Sequence, residues 1–293
     1  MHGPSPTTPN PQIHIMAPFS ARKFFYLLPP AWRFLARRLY FLPSDLVEGW
    51  TGQRDALTPP KGLIFTGSGD YVRQGKELVQ RFVELGGLQP QHQVLDIGSG
   101  IGRVAVPLTD YLSPEGGYEG FDVIRLGVKW CRRHISRRFP NFQFQYIPLN
   151  NDLYRSSGKD AANFRFPYPD DRFDFVVVNS VFTHLLPAEV DNYLSEIRRV
   201  MKPGGRCYGS FFLLNRESKE LMAEQPDFQF PHDHGHYRLM EEGVRAANVA
   251  FEESYLLQLI SKHHLKVVST HYGHWCGRPK GECLDFQDFF LLA

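Results

Sequence analysis

Apolar and polar positions change their period repeatedly along this chain. Seven segments read as strands: Gln93 to Ile97, Tyr118 to Phe121, Phe142 to Ile147, Phe173 to Asn179, Arg206 to Leu213, Leu265 to Tyr272 and Asp285 to Leu292. The run from Phe173 to Asn179 is nearly all apolar, as in a central parallel strand buried on both faces. Between these segments apolar residues recur at helical spacing. Gln74 to Leu85 carries Leu78, Phe82 and Leu85; Ile124 to Phe139 carries Ile124, Val128, Cys131, Ile135 and Phe139; Ala188 to Met201 carries Val190, Tyr193, Leu194, Ile197 and Met201. The third ends at Lys202-Pro203-Gly204-Gly205, a strong stop signal. Alternation of helix and strand predicts an α/β fold, a doubly wound, mostly parallel sheet with helices on both faces.

Two stretches stand outside this alternation. Ala31 to Leu42 reads as a short amphipathic helix with Trp32, Leu35, Leu39 and Leu42 on one face and Arg33 and Arg37 on another. Its expected roles are a lid docked on its own domain or contact with an anionic membrane surface. Asn215 to Ala250 is irregular, rich in His, Pro and Gln, and too long for an ordinary connection. It reads as a cap insertion. The expected organisation is a tail and helical extension over 1–60 and a main domain over 61–293 with a cap at about 215–250.

Composition narrows the class. With 293 residues, 42% of them hydrophobic, the chain is long enough for a full-sized core. Its 33 Lys and Arg nearly balance 31 Asp and Glu, a net charge of +2, which disfavours a nucleic-acid partner. Cys131, Cys207, Cys276 and Cys283 form no C-x-x-C pair, so neither a disulfide scaffold nor a structural zinc site is indicated, and a reducing cytoplasm is the expected compartment. Met1 to Pro18 reads as a loose tail without signal-peptide features. No transmembrane segment is predicted, because five Arg and Lys and a Pro-Pro pair interrupt Phe19 to Leu42.

The chemistry concentrates in Val94-Leu95-Asp96-Ile97-Gly98-Ser99-Gly100-Ile101-Gly102-Arg103, an apolar strand that enters a glycine turn and then a helix. Glycines let a backbone approach a ligand closely, and a helix N-terminus offers unpaired N–H groups. Twenty residues after Gly102 stands Asp122, at the tip of the second strand, where a carboxylate accepts ribose hydroxyls. A dinucleotide fingerprint would place its third glycine at 103, which here is Arg103, so a nucleotide-dependent oxidoreductase is the weaker reading.

These residues resemble the class I S-adenosylmethionine (SAM)-dependent methyltransferases over roughly Gly62 to Ala293. The glycine stretch and Asp122 carry the resemblance, together with Phe166 to Asp174 leading to Asn179-Ser180-Val181-Phe182-Thr183-His184-Leu185, and Arg198 to Gly205. The resemblance implies a seven-stranded sheet of order 3-2-1-4-5-7-6, its last strand inserted antiparallel, with SAM across the C-terminal strand ends. It implies that Asp96, Gly98, Gly100 and Gly102 line the methionine end and that Asp122 holds the ribose, with Ser99 and Val123 also among the cofactor residues. Asn150, Asn151 and Asp152 are alternatives for the adenine, Ser180 joins the cofactor residues, and Tyr71 stands near the sulfonium or simply at a helix entry.

Methyl transfer chiefly requires alignment in a dry pocket, with a base where the acceptor is a hydroxyl or protonated amine. His184, after the fourth strand, is the leading candidate base; His271 and His274, after the sixth, come second. His232-Asp233-His234-Gly235-His236 carries metal-ligating residue types but reads as a polar loop, and no metal is expected. The expected acceptor is a small metabolite, a glycan or a lipid-linked intermediate. The alternative is a SAM-binding protein without transfer activity.

Overall fold

The computed structural model describes residues 30–65, 69–150, 158, 160–225 and 227–293. Elements follow in chain order as α1 (Pro30–Trp50), α2 (Tyr71–Glu84), β1 (Gln93–Ile97), α3 (Ala105–Tyr111), β2 (Gly117–Asp122), α4 (Arg125–Cys131), β3 (Phe142–Tyr146), β4 (Phe173–Val178), α5 (Pro187–Val200), β5 (Met201–Phe211), β6 (Leu213–Leu214), α6 (Arg216–Ala223), β7 (His232–Asp233), β8 (Tyr237–Leu239), β9 (Val249–Glu252), α7 (Glu253–Lys262), β10 (Val267–His271) and β11 (Asp288–Leu292).

Seven strands form one sheet in the order β10-β11-β5-β4-β1-β2-β3. β3, β2, β1, β4 and β5 are parallel, whereas β11 pairs antiparallel with both β5 and β10. This is the expected order, with β11 as the inserted last strand. Side chains alternate between two cores. Leu95, Ile97, Val176 and Val178 face Val190, Leu194 and Ile197 of α5 and Leu256 and Ile260 of α7. Val94, Phe175 and Val177 face Leu78 and Phe82 of α2, Ala105 and Leu108 of α3, and Val128 of α4. Strand order reverses between β2-β1 and β4, the switch point at which open α/β sheets form a crevice beyond their strand ends.

Several expected boundaries are corrected. The helix expected over Ala31 to Leu42 continues through Pro43 to Trp50. The one expected over Ile124 to Phe139 is α-helical only to Cys131 and then widens into a π turn over Arg132–Ser136. The helix before Lys202-Pro203-Gly204-Gly205 ends at Val200 as expected, but the strand expected from Arg206 begins earlier: β5 starts at Met201 and runs through these residues, with a register shift against β4 between Phe173 and Phe175. The cap is not irregular. It holds α6 and a second sheet, β6-β9-β8-β7, over a cluster that includes Phe212, Phe230, Met240 and Trp275. Helix α7 was not anticipated at all.

One carboxylate ties the cap to the main sheet. Asp288, fully buried at the start of β11, accepts hydrogen bonds from the backbone amides of Leu213 (2.7 Å) and Gly273 (2.7 Å) and from Trp275 Nε1 (2.6 Å). Arg278 stands 3.4 Å away and reaches on to Glu217 of α6. The expected tail, Met1 to Pro18, together with Gly67, Ser68, Asn151 and Asp152, lies outside the described residues.

Candidate functional site

The turn after β1 is shaped by glycines that no other residue would replace without strain. Gly98, Gly100 and Gly102 have φ of 79°, 57° and 85°. A Cβ on Gly98 would lie 2.3 Å from Val181 Cγ2, so the chain passes under the β4 loop with no room for a side chain. From the other side α4 presents Gly127, where a Cβ would lie 2.2 Å from the Gly100 carbonyl oxygen. The amides of Gly98 and Ser99 both donate to the Phe121 carbonyl, at 2.9 and 3.0 Å, which binds the turn to the end of β2.

Asp122 completes that clamp. Its Oδ2 accepts the Gly100 amide at 2.8 Å and its Oδ1 the Ile124 amide at 2.6 Å. A carboxylate offers about four acceptor positions, so capacity remains toward the cavity. Burial pushes its pKa up to about 6 against the backbone amides of Ile124, Gly100 and Val123, which pull it down. Asp96 lies deeper. Its Oδ2 accepts from the Tyr118 hydroxyl at 2.5 Å, and its pKa is pushed up to about 7, mainly by burial, partly countered by Tyr118 and added to by Asp122.

These groups border a cavity of about 210 Å³. It brings together Asp96, Gly98, Ser99, Gly100, Asp122, Val123, Asn150, Ser180 and His184 from the residues singled out in the sequence. His184 arrives on the single 3₁₀ turn Phe182–His184 that follows β4, its amide donating to the Val181 carbonyl. Ser180 has φ of 57°, an uncommon conformation for a residue with a side chain, and is held there. Its amide donates to Ser210 Oγ at 2.7 Å and its hydroxyl to Gln287 Oε1 at 3.0 Å, so the β4 end is fastened to β5 and to the residue that precedes β11. Ser99 Oγ is buried with no hydrogen-bond partner among the described residues. An unsatisfied buried hydroxyl beside a cavity is a position for a polar ligand group.

Other singled-out residues stand elsewhere. Tyr71 and Gly102 do not line the cavity; Tyr71 is buried behind the turn and its hydroxyl donates to the Ile101 carbonyl at 2.9 Å. Its neighbour Asp70 caps α2 by accepting the Arg73 amide. His271 sits in β10 opposite Phe289, stacked on that ring at 4.5 Å with Nε2 3.1 Å from Ser269 Oγ. His274 packs edge-on against Phe286. Burial lowers the pKa of both, and neither borders the cavity. Asn151 is outside the described residues. In the cap, His232 Nδ1 and His234 Nε2 each lie 3.4 Å from Glu242 Oε2, while His236 stacks on Tyr255. No group of three or more metal-ligating side chains suited to a metal ion occurs among the described residues.

The cavity also takes residues that the sequence pattern had not assigned to it. Phe65, Arg103, Asn179, Leu185 and Tyr193 line it. Arg103 was visible only as the residue that breaks a dinucleotide fingerprint. Tyr193 belongs to the apolar stripe of its helix, and it is indeed buried, but it also reaches the cavity wall.

Residues 95–209 match a family model described as a methyltransferase domain. The chain is 33% identical over 159 residues to the phthiotriol/phenolphthiotriol dimycocerosates methyltransferase of Mycobacterium tuberculosis, covering 53% of this chain and 49% of that one. It is 26% identical over 173 residues to the arsenite methyltransferase of Rattus norvegicus, covering 56% and 44%. The chain thus spans about half the length of these curated relatives. Among solved structures, a protein from Pyrococcus horikoshii OT3 superposes with a TM-score of 0.55 at 18% identity, over 78% of this chain and 93% of that one, a likeness of fold.

Proposed function

We propose, from the premise that this domain belongs to the class I SAM-dependent methyltransferase superfamily, that the chain binds SAM in the cavity beyond β1 and β2 and transfers its methyl group to an oxygen or nitrogen of a small-molecule, glycan or lipid-linked acceptor. The observation that carries this reading is the Asp122 clamp: a buried carboxylate that holds the glycine turn and keeps acceptor capacity toward the cavity. The residues present fit the cofactor, since a ribose offers vicinal hydroxyls to Asp122, and the buried Ser99 hydroxyl meets a polar group beside the glycine turn.

The bound cofactor supplies an electrophilic methyl carbon. This chain's residues orient, exclude water and accept a proton. Phe65, Val181, Leu185 and Tyr193 give the cavity apolar walls, which keep water from the line of attack. Alignment of this kind contributes roughly 7–11 kcal/mol. With the cofactor bound, His184 would take the acceptor proton as the new bond to carbon forms and the methyl–sulfur bond breaks, S-adenosylhomocysteine being the leaving thioether. For His184→Ala the expected result is a kcat loss of about 10²-fold or more with the SAM Kd unchanged. A Kd that rises in step with the loss would make His184 a binding residue instead.

The pH dependence follows from Asp122. Ionised Asp122 accepts the ribose hydroxyls, and its pKa of about 6 lies above the usual range. Affinity for SAM is therefore full above pH 7 and falls as pH drops through 6, by about tenfold between pH 7.5 and pH 5. Titrations at those two pH values check this, and an unchanged Kd would contradict it. The acceptor class is read by transfer of label from methyl-labelled SAM into a cell extract, separated into protein, nucleic-acid, aqueous and organic fractions. Label in the aqueous or organic fraction is expected. SAM binding without any transfer would favour a cofactor-binding protein without activity.

A further inference from the structure

Helix α1 is built the wrong way round for a helix that docks on its own domain. At 100° per residue, Trp32, Leu35, Leu39, Leu42, Leu46 and Trp50 fall with Ala36, Tyr40, Pro43 and Val47 on one arc of about 160° that contains no charged residue. Every one of these side chains is exposed, Trp50 at 91% and Tyr40 at 72%. The partly buried positions are on the opposite side: Arg37, Phe41, Ser44, Asp45 and Glu48.

The polar side is what the fold engages. Asp45 accepts the backbone amides of Lys61 at 2.6 Å and Gly62 at 2.9 Å, and Glu48 pairs with Lys61 at 2.5 Å. Gly62 fits because a Cβ there would lie 3.1 Å from the Arg38 Cα. Both acids of the helix are thus neutralised by contacts with the chain, with Arg54 also 3.8 Å from Asp45. The remaining charged residues of the helix are all cationic, and the positions of Arg33 and Arg38 fall at the two borders of the apolar arc.

A second feature meets this arc at its end. A groove of about 580 Å³ opens between the residues after α1 and the outer face of α4 with its π turn. It begins at Gly49, one residue before Trp50, and is lined by Arg54, Lys129, Arg133, His134 and Arg138, with Asp55 as its one acid. Among the described residues Lys129, Arg133 and Arg138 form no ion pair. An apolar arc with arginines at its edges and an adjoining cationic groove are complementary to apolar acyl chains beneath a layer of negative headgroups.

We propose that α1 is a membrane-docking helix, which lays its outward apolar arc on an anionic lipid surface while the adjoining basic groove faces the headgroup phosphates. The helix is not a span: among the described residues no helix is long and apolar enough to cross a bilayer. It lies in the interface plane, and the docking is independent of which acceptor the cavity takes. A second copy of the chain is a poorer occupant, since the arc is much wider than a two-position coiled-coil seam and includes Pro43, which has no backbone N–H for the helix.

The test is flotation of the full chain with vesicles of phosphatidylcholine alone and with 30% phosphatidylglycerol (about one lipid in three, enough for a strongly negative surface). Co-flotation with the anionic vesicles only is expected. L39E/L46E, at two exposed positions outside the cavity, abolishes it with melting temperature and SAM affinity unchanged, and R133E/R138E lowers partition by at least tenfold. Failure of the wild type to float with anionic vesicles overturns the proposal. So does flotation that survives L39E/L46E, and so does a concentration-dependent dimer, dispersed by L39E/L46E, in a protein that does not float.

Discussion

Asp122→Ala is expected to weaken SAM binding by roughly 100-fold, a loss of about 3 kcal/mol, measured by titration calorimetry at pH 7.5. Two effects add. The ribose hydroxyls lose a charged acceptor, and each hydrogen bond to such a group contributes about 1.5–3 kcal/mol. The amides of Gly100 and Ile124 lose their partner as well, so the glycine turn is no longer held in its positive-φ path. Asp122→Asn keeps the volume and one acceptor oxygen and is expected to fall between the two proteins. An Asp122→Ala protein that is folded and binds SAM as well as the wild type would remove the ribose assignment.

The second large effect concerns stability and lies far from the cavity. Asp288→Ala leaves the amides of Leu213 and Gly273 and the indole of Trp275 without their acceptor, and Arg278 without one of its two carboxylates. Unsatisfied buried donors cost about 1–3 kcal/mol each, and breaking a buried pair by removing one partner costs about 3–5 kcal/mol. These overlap, so the expected loss is about 4 kcal/mol, a fall in melting temperature of roughly 8 °C. Burial raises the Asp288 pKa to about 6 even against these donors. Its folded-state pKa therefore stands above the unfolded value near 3.9, and the favourable contribution from holding the proton is full below pH 4 and lost as pH rises through 6. A melting curve for Asp288→Ala within 2 °C (about a quarter of the predicted shift) of the wild type would show that the cap and sheet are held together by other contacts.

The main sheet was legible because its strands carry two independent signals. Phe173 to Val178 is apolar at nearly every position, since both faces are covered, and the glycine turn marks where β1 must end. Asp96, Gly98, Gly100 and Asp122 border one cavity for the same reason: one short segment and one spaced acid reach a common point through parallel pairing of β1 with β2, which aligns Asp96 with Gly120 and Ile97 with Phe121. What could not be read was set by long-range packing. His271 and His274 share a strand end with the candidate cavity on paper, yet β10 is the outermost strand, three strands away from β4 in the sheet, and their rings pack on Phe289 and Phe286 instead.

Helix α1 shows a different limit. Its apolar stripe was correctly placed, but a stripe does not say which way it faces. Orientation was decided by Asp45 and Glu48 engaging Lys61 and Gly62, contacts that span 13 to 17 residues and carry no periodic signature. The cap was misread as irregular because its strands are two to four residues long, too short for alternation to register. Tyr193 illustrates that one residue can satisfy a core pattern and border a site, since the face of α5 that packs on the sheet ends at the cavity floor.

The most direct test of the account is calorimetric titration of the full chain with SAM and, separately, with NAD at pH 7.5. The predicted result is one SAM site per chain and no heat with NAD, because Arg103 stands where a dinucleotide turn needs its third glycine. Binding of NAD in place of SAM, or no SAM binding by a folded protein, would contradict the assignment of this cavity.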